Sequence, residues 1–270
     1  MTETSGEPLR FLCADFVPTQ DERAFVVIVR IREEFLRWMS KSPPGLQWLQ
    51  VEGLLGDRDV WAVAAEDAGD LPLDVVMTDP AREFAQLYRL VDVRATREVR
   101  VTIYGKPGVL KAARLAASLG LPIRILPGQP SAEAAAQLLQ VAEFYLRDPM
   151  VQAPIEPFHS MLATMGGVAT LWTMLEEDPL VFAHHDAVDR AILPRTTQPA
   201  RPEFIRTHLA GLIAENAECV DCPWQQACGG YFKWPDRNYS CAGVKPLFAC
   251  MHAAMVEIGQ ELDAFQNTPS

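Results

Sequence analysis

The sequence predicts an α/β protein: a partial or degenerate (βα) barrel-like body followed by a small Cys-rich C-terminal domain. Strand-like and helix-like segments alternate from residue 71 to residue 155, the pattern of right-handed parallel βαβ units. Five of the six cysteines then fall between residues 219 and 250, and only Cys13 precedes them. At 270 residues the chain is long enough for one substantial core and a small appendix, drawn here at 1–200 and 201–270. A barrel wall and an open doubly wound sheet satisfy the alternation equally.

In chain order, residues 10–16 read as a short strand. Residues 25–31 are a near-continuous apolar run and predict a buried strand. Phe35, Leu36 and Met39 share a helical face, which Pro43-Pro44-Gly45 ends. Strands are predicted at 46–51 and 60–65, then at 73–78, after which Asp79 caps and Pro80 opens a helix reaching Leu90. Val99, Val101 and Ile103 alternate with polar residues in the next strand. Leu110, Ala113, Arg114 and Ala117 set the register of a helix that Gly120 stops. A strand at 123–126 precedes Ser131, which caps a long helix with Leu138, Leu139, Ala142, Tyr145 and Leu146 on one face. Pro149 ends that helix, and 150–155 predict a further strand.

A shorter helix from Glu156 to Gly166-Gly167, a stretch at 171–175 and a Pro- and Thr-rich linker at 196–202 follow. Residues 202–216 predict the helix that delivers the chain to Cys219. After Lys245-Pro246, Leu247, Met251, Met255, Ile258, Leu262 and Phe265 recur at steps of four and three, so the last helix is expected to lie against another surface.

Hydrophobic residues at 49% and charged residues at 22% fit a folded globular protein. The net charge of -11, with no offsetting Lys/Arg run, argues against nucleic acid as a partner. No apolar run is expected to cross a bilayer, and the first residues lack the basic-then-apolar pattern of a signal peptide. A cytoplasmic setting is expected, where thiols stay reduced and ligate metals more readily than they pair.

The chemistry concentrates in the thiols. Cys219, Cys222 and Cys228 stand at C-x2-C-x5-C, and Cys241 follows after twelve residues. Soft thiolates gathered by a turn-rich loop suit zinc or an iron–sulfur cluster. Structural zinc sites tend to pair one C-x2-C with another, and Cys228 with Cys241 does not supply it. Gly229 and Gly230 allow close backbone approach, while Tyr231, Phe232, Trp234 and Tyr239 can shield the centre from water. Cys250 reads as a small buried hydrophobe beside the last helix's stripe. His184-His185-Asp186 with Asp189 reads as a loop or cap, because adjacent side chains diverge. Glu156 with His159 is a minor acid/base alternative, and His208 and His252 default to surface or satisfied core positions.

C-x2-C-x5-C with a Gly-Gly turn and a later lone cysteine resembles the SPASM domain that follows the barrel of many radical-SAM peptide-modifying enzymes. The resemblance implies one auxiliary [4Fe–4S] cluster held by Cys219, Cys222, Cys228 and Cys241, with zinc as the alternative metal. The family's further cysteine, four residues after the third, is Phe232 here, which implies that a second auxiliary cluster is missing. Residues 171–179 also resemble the bridge between barrel and SPASM domain. One departure matters more than the match. Radical-SAM chemistry needs C-x3-C-x2-C, and within this sequence only Cys13 precedes residue 219.

A barrel relic without radical chemistry is therefore expected. It would work as a partner, presenting a precursor peptide or relaying electrons to a peptide-modifying enzyme in ribosomal-peptide biosynthesis. Two alternatives stay open: a metal-dependent enzyme acting at the C-terminal cluster, and a zinc-stapled scaffold. No catalytic residue follows from spacing.

Overall fold

The computed structural model describes residues 9–15, 24–41, 43–67, 69–163, 169–179, 181–185 and 203–266. Along them run β1 (Leu9–Cys13), β2 (Phe25–Val29), α1 (Arg32–Lys41), β3 (Leu46–Glu52), α2 (Arg58–Glu66), β4 (Leu73–Met77), α3 (Pro80–Glu83) and, after a 3-10 stretch, α4 (Leu90–Arg94). Next come β5 (Val99–Tyr104), α5 (Val109–Ser118), β6 (Ile123–Leu126), α6 (Ala132–Arg147), β7 (Ile155–Glu156), α7 (Phe158–Ala163), α8 (Leu171–Met174) and β8 (Phe182–His185). The chain ends in α9 (Phe204–Ala214), α10 (Gln225–Cys228) and α11 (Lys245–Gln266).

All described strands join one parallel sheet in the order β7-β6-β5-β4-β3-β2-β1-β8. From β1 to β7, neighbours in sequence are neighbours in space, the order of an unrolled barrel; a doubly wound sheet reverses at a switch point. Among the described residues β7 and β8 are the two edges and do not pair, so the wall stays open. The α/β expectation of a partial barrel holds. Parallel strands are covered on both faces, which is why β2 and β4 are buried at every position. Leu49, Val51, Val75, Val101, Ile103 and Ile125 face the large core shared with the helices, while Phe11, Val26 and Ile28 form a second cluster with Trp48 and Phe182.

Several elements depart from expectation. Residues 60–65 lie in α2 and not in a strand: the Asp57 carboxylate accepts the Asp59 and Val60 amides as an N-cap, and Val60, Trp61 and Ala64 bury one helical face. A short apolar run is ambiguous in period, and the cap decides it. The helix opened by Pro80 passes into a 3-10 stretch at Phe84–Arg89 before α4. Only Ile155–Glu156 of the strand expected at 150–155 pairs. His184 and His185 belong to β8, opposite Phe11 and Leu12, rather than to a loop or cap. Asp186, Asp189, Gly166-Gly167 and the linker at 196–202 lie outside the described residues.

Helix α11 covers only part of its stripe. Leu247 and Met251 are buried, whereas Ile258, Leu262 and Phe265 are exposed. By length and composition alone, the segment Cys241–Phe265 is apolar enough to cross a membrane, contrary to expectation. It packs against α6 and α7.

The face of the sheet turned away from the large core carries charge. Asp74, Arg100 and Arg124 occupy the second position of β4, β5 and β6, and register sets Asp74 opposite Arg100 and Thr102 opposite Arg124. Asp74 accepts from Thr102 Oγ1 at 2.6 Å, Arg100 Nη2 at 2.9 Å and Arg124 Nη2 at 2.6 Å. Glu176, from the segment after α8, accepts from Arg100 at 2.7 and 3.0 Å and also from Arg124. Two buried guanidiniums thus meet two carboxylates, the balance that makes buried charge tolerable. Burial opposes ionisation of Asp74 and Glu176, but the two arginines hold both carboxyls below their ordinary range. Their contribution is present above the ordinary carboxylate pKa and is lost as pH falls through the depressed values.

Asp74→Ala is expected to destabilise the fold by about 3–5 kcal/mol, because two buried guanidiniums are left with one carboxylate. Urea unfolding at neutral pH checks it, and the wild type should weaken progressively below pH ~4.

Candidate metal centre

Helix α9 ends at Ala214 and a turn places Cys219 and Cys222. The Cys222 amide bonds the Cys219 carbonyl at 3.3 Å, and Gln225 Nε2 bonds the same carbonyl at 2.9 Å, which fixes the C-x2-C turn. Short α10 carries Cys228 at its end. Gly229 and Gly230 follow with φ of +59° and +74°, reversing the chain into the 3-10 turn Tyr231–Lys233. Ser240 caps a second 3-10 turn, Cys241–Gly243, that leads into α11.

Cys219, Cys222, Cys228 and Cys241 line one small cavity, walled by the rings of Trp224, Phe232 and Phe248. Trp224 stacks on Phe248 at 5.9 Å and Phe232 meets Phe248 edge-on at 6.1 Å. All six cysteines are free, and Cys13 and Cys250 are absent from the cavity wall. Among the described residues, no three His, Cys, Asp or Glu side chains converge closely enough to hold a single metal ion.

Burial raises three of these thiols above the ordinary thiol range. Burial pushes Cys219 up and Cys228 to about 11, although the Phe232 and Tyr231 amides donate to the Cys228 sulfur. Burial and then the Glu218 hydrogen bond push Cys241 far above the thiol range. Ligation would have to expel these protons, as metal binding to thiols does. Lys233 and Lys245 also line the cavity, each bound to Glu218, at 2.9 and 3.4 Å. Burial opposes ionisation of Glu218, yet the Cys241 amide and Lys233 hold its carboxyl at about 2.

A short segment ties this loop to the barrel wall. Trp172 Nε1 donates to the Gly229 carbonyl at 3.0 Å, and Tyr231 Oη donates to Glu177 at 2.5 Å. Glu176 beside it sits at φ 61°, a left-handed conformation that side chains avoid unless neighbours enforce it. Gln129, after β6, reaches the Phe232 and Asp236 carbonyls at 2.9 and 2.7 Å. Sequence reasoning missed Glu176, Glu218 and Lys233. For Glu218 and Lys233 the one legible signal is a charge lodged among apolar or thiol neighbours.

The histidines take other parts. His159 Nδ1 bonds Tyr145 Oη at 2.9 Å, while Glu156 accepts the Ser160 amide, so these two do not form an acid/base pair. His208 is buried against Trp172, Phe204 and Trp234, with Nε2 at 3.1 Å from the Gly230 carbonyl. His252 is exposed and lies against Trp224.

A Cβ at Gly230 would approach Leu212 and His208 at 3.1 and 3.2 Å, in a conformation that already disfavours side chains. Gly230→Ala is expected to destabilise by about 2 kcal/mol, measured as a lowered urea midpoint.

Two solved structures share the fold. Native anSMEcpe with bound AdoMet aligns at TM-score 0.54 and 11% identity, over 94% of this chain and 100% of that one. A hexahistidine-tagged form of anSMEcpe with bound AdoMet aligns at 0.55 and 12%, over 94% and 99%. No protein-family model matches the sequence, and no curated protein matches it. At such identity the likeness is one of fold alone: the chain shares the fold of anSMEcpe.

Proposed function

We propose that this chain is a cytoplasmic iron–sulfur protein that holds one [4Fe–4S] cluster through Cys219, Cys222, Cys228 and Cys241 and serves a peptide-modifying enzyme as an electron-relay partner. One observation carries the reading: the four cysteines line a single cavity. The donor set fits as well, being all thiolate, with amides of Phe232 and Tyr231 aimed at the Cys228 sulfur.

A bound cluster would supply one-electron transfer. The chain's own groups do the rest. The three rings exclude water from the thiols, the glycine turn aims the backbone, and the segment at 171–178 fixes the loop against the sheet. AdoMet receives no role in this reading. The sequence holds no C-x3-C-x2-C, and the sheet face between β4 and β6 is filled by paired charges. The formal charge of -11 favours a partner, or a precursor peptide, with a basic docking segment.

Anaerobic preparation should give brown protein with iron and acid-labile sulfide in equal amounts. Cys228→Ala should lose most of both, while Cys13→Ala keeps them. Equal iron in the two variants, or colourless protein with stoichiometric zinc, would overturn the assignment.

A further inference from the structure

We propose that Glu218, Lys233 and Lys245 form a charge-setting triad for the thiol centre: Glu218 positions the ligand loop, and the two ammonium groups offset the negative charge of ligating thiolates. This rests on the iron–sulfur reading above. Glu218 directly precedes the first cysteine and reaches across the loop. Its Oε1 accepts the Cys241 amide at 2.7 Å and Lys233 Nζ at 2.9 Å, and its Oε2 faces Lys245 Nζ at 3.4 Å. One carboxylate so joins the first and last cysteines, whose positions are otherwise set by separate turns.

Lys233 is placed where lysine is rarely found. Its side chain is 6% exposed, and its other acceptor is the Tyr239 carbonyl. A buried ammonium needs compensation, and one carboxylate shared between two lysines leaves a unit of positive charge at the cavity wall. Water reaches Lys245, whose side chain is 37% exposed, so Lys233 is the buried cation at the wall. A thiolate-bound cluster would be anionic there and would gain one further negative charge on accepting an electron. At a low-dielectric wall, that added charge is stabilised by a nearby cation.

The test is a spectroelectrochemical titration of anaerobically loaded full-length protein, with dithionite as the electron donor, alongside iron and sulfide analysis. Lys233→Met should keep its iron and shift the reduction potential negative. Glu218→Gln, whose amide oxygen still accepts the Cys241 N–H, should shift it positive, and the double variant should return close to wild type. Lys245→Met, on a more exposed side chain, should shift it negative by less. It carries the test if Lys233→Met fails to load. Full iron with shifts of one sign, or with none, would overturn the triad alone. Wild-type protein without iron and sulfide would overturn the iron–sulfur reading, and the triad with it.

Discussion

Two guanidiniums inside an open barrel wall must be neutralised, and the remainder of the architecture follows from how this is done. Arg100 and Arg124 stand on strands of a wall that β7 and β8 leave unclosed. Asp74 supplies one carboxylate from within the sheet, and the second comes from Glu176 on the segment that follows α8. Glu176 stands there at φ 61°, with Trp172 and Glu177 on the same segment. Those two residues hold the Gly229 carbonyl and the Tyr231 hydroxyl on either side of the glycine turn. These contacts connect the ion-pair network of the sheet to the glycine turn after Cys228.

At the far end of that mechanical link, the electrostatics reverse. The sheet pairs its buried charges evenly, whereas the thiol cavity combines four cysteines, a buried ammonium and a strongly acidic Glu218. The same core cluster contains Trp172, Tyr231, Phe232 and Cys241 together with strand and helix residues of the body, so the cavity is built on rigid packing.

Much of the fold was legible because local rules agree with tertiary ones. The Ser131 cap, the Gly120 stop and the all-apolar run of β2 each had a single reading. Residues 60–65 did not, since six apolar positions serve helix or strand until Asp57 closes the cap. The strand identity of His184 and His185 was hidden because polar residues at an edge carry little period signal, and pairing with β1 decides it. At the candidate centre, spacing singled out the four cysteines. It could not show Glu218 bridging to Cys241 or Glu176 reaching two strands, since both contacts are long-range and emerge only from folding.

Whether the four thiols hold an iron–sulfur cubane decides the proposed role. Iron-edge X-ray absorption of anaerobically prepared protein addresses it most directly. Iron coordinated by sulfur with a distinct iron–iron shell is the expected result. Iron without that shell, or a zinc edge with only a sulfur shell, would contradict it.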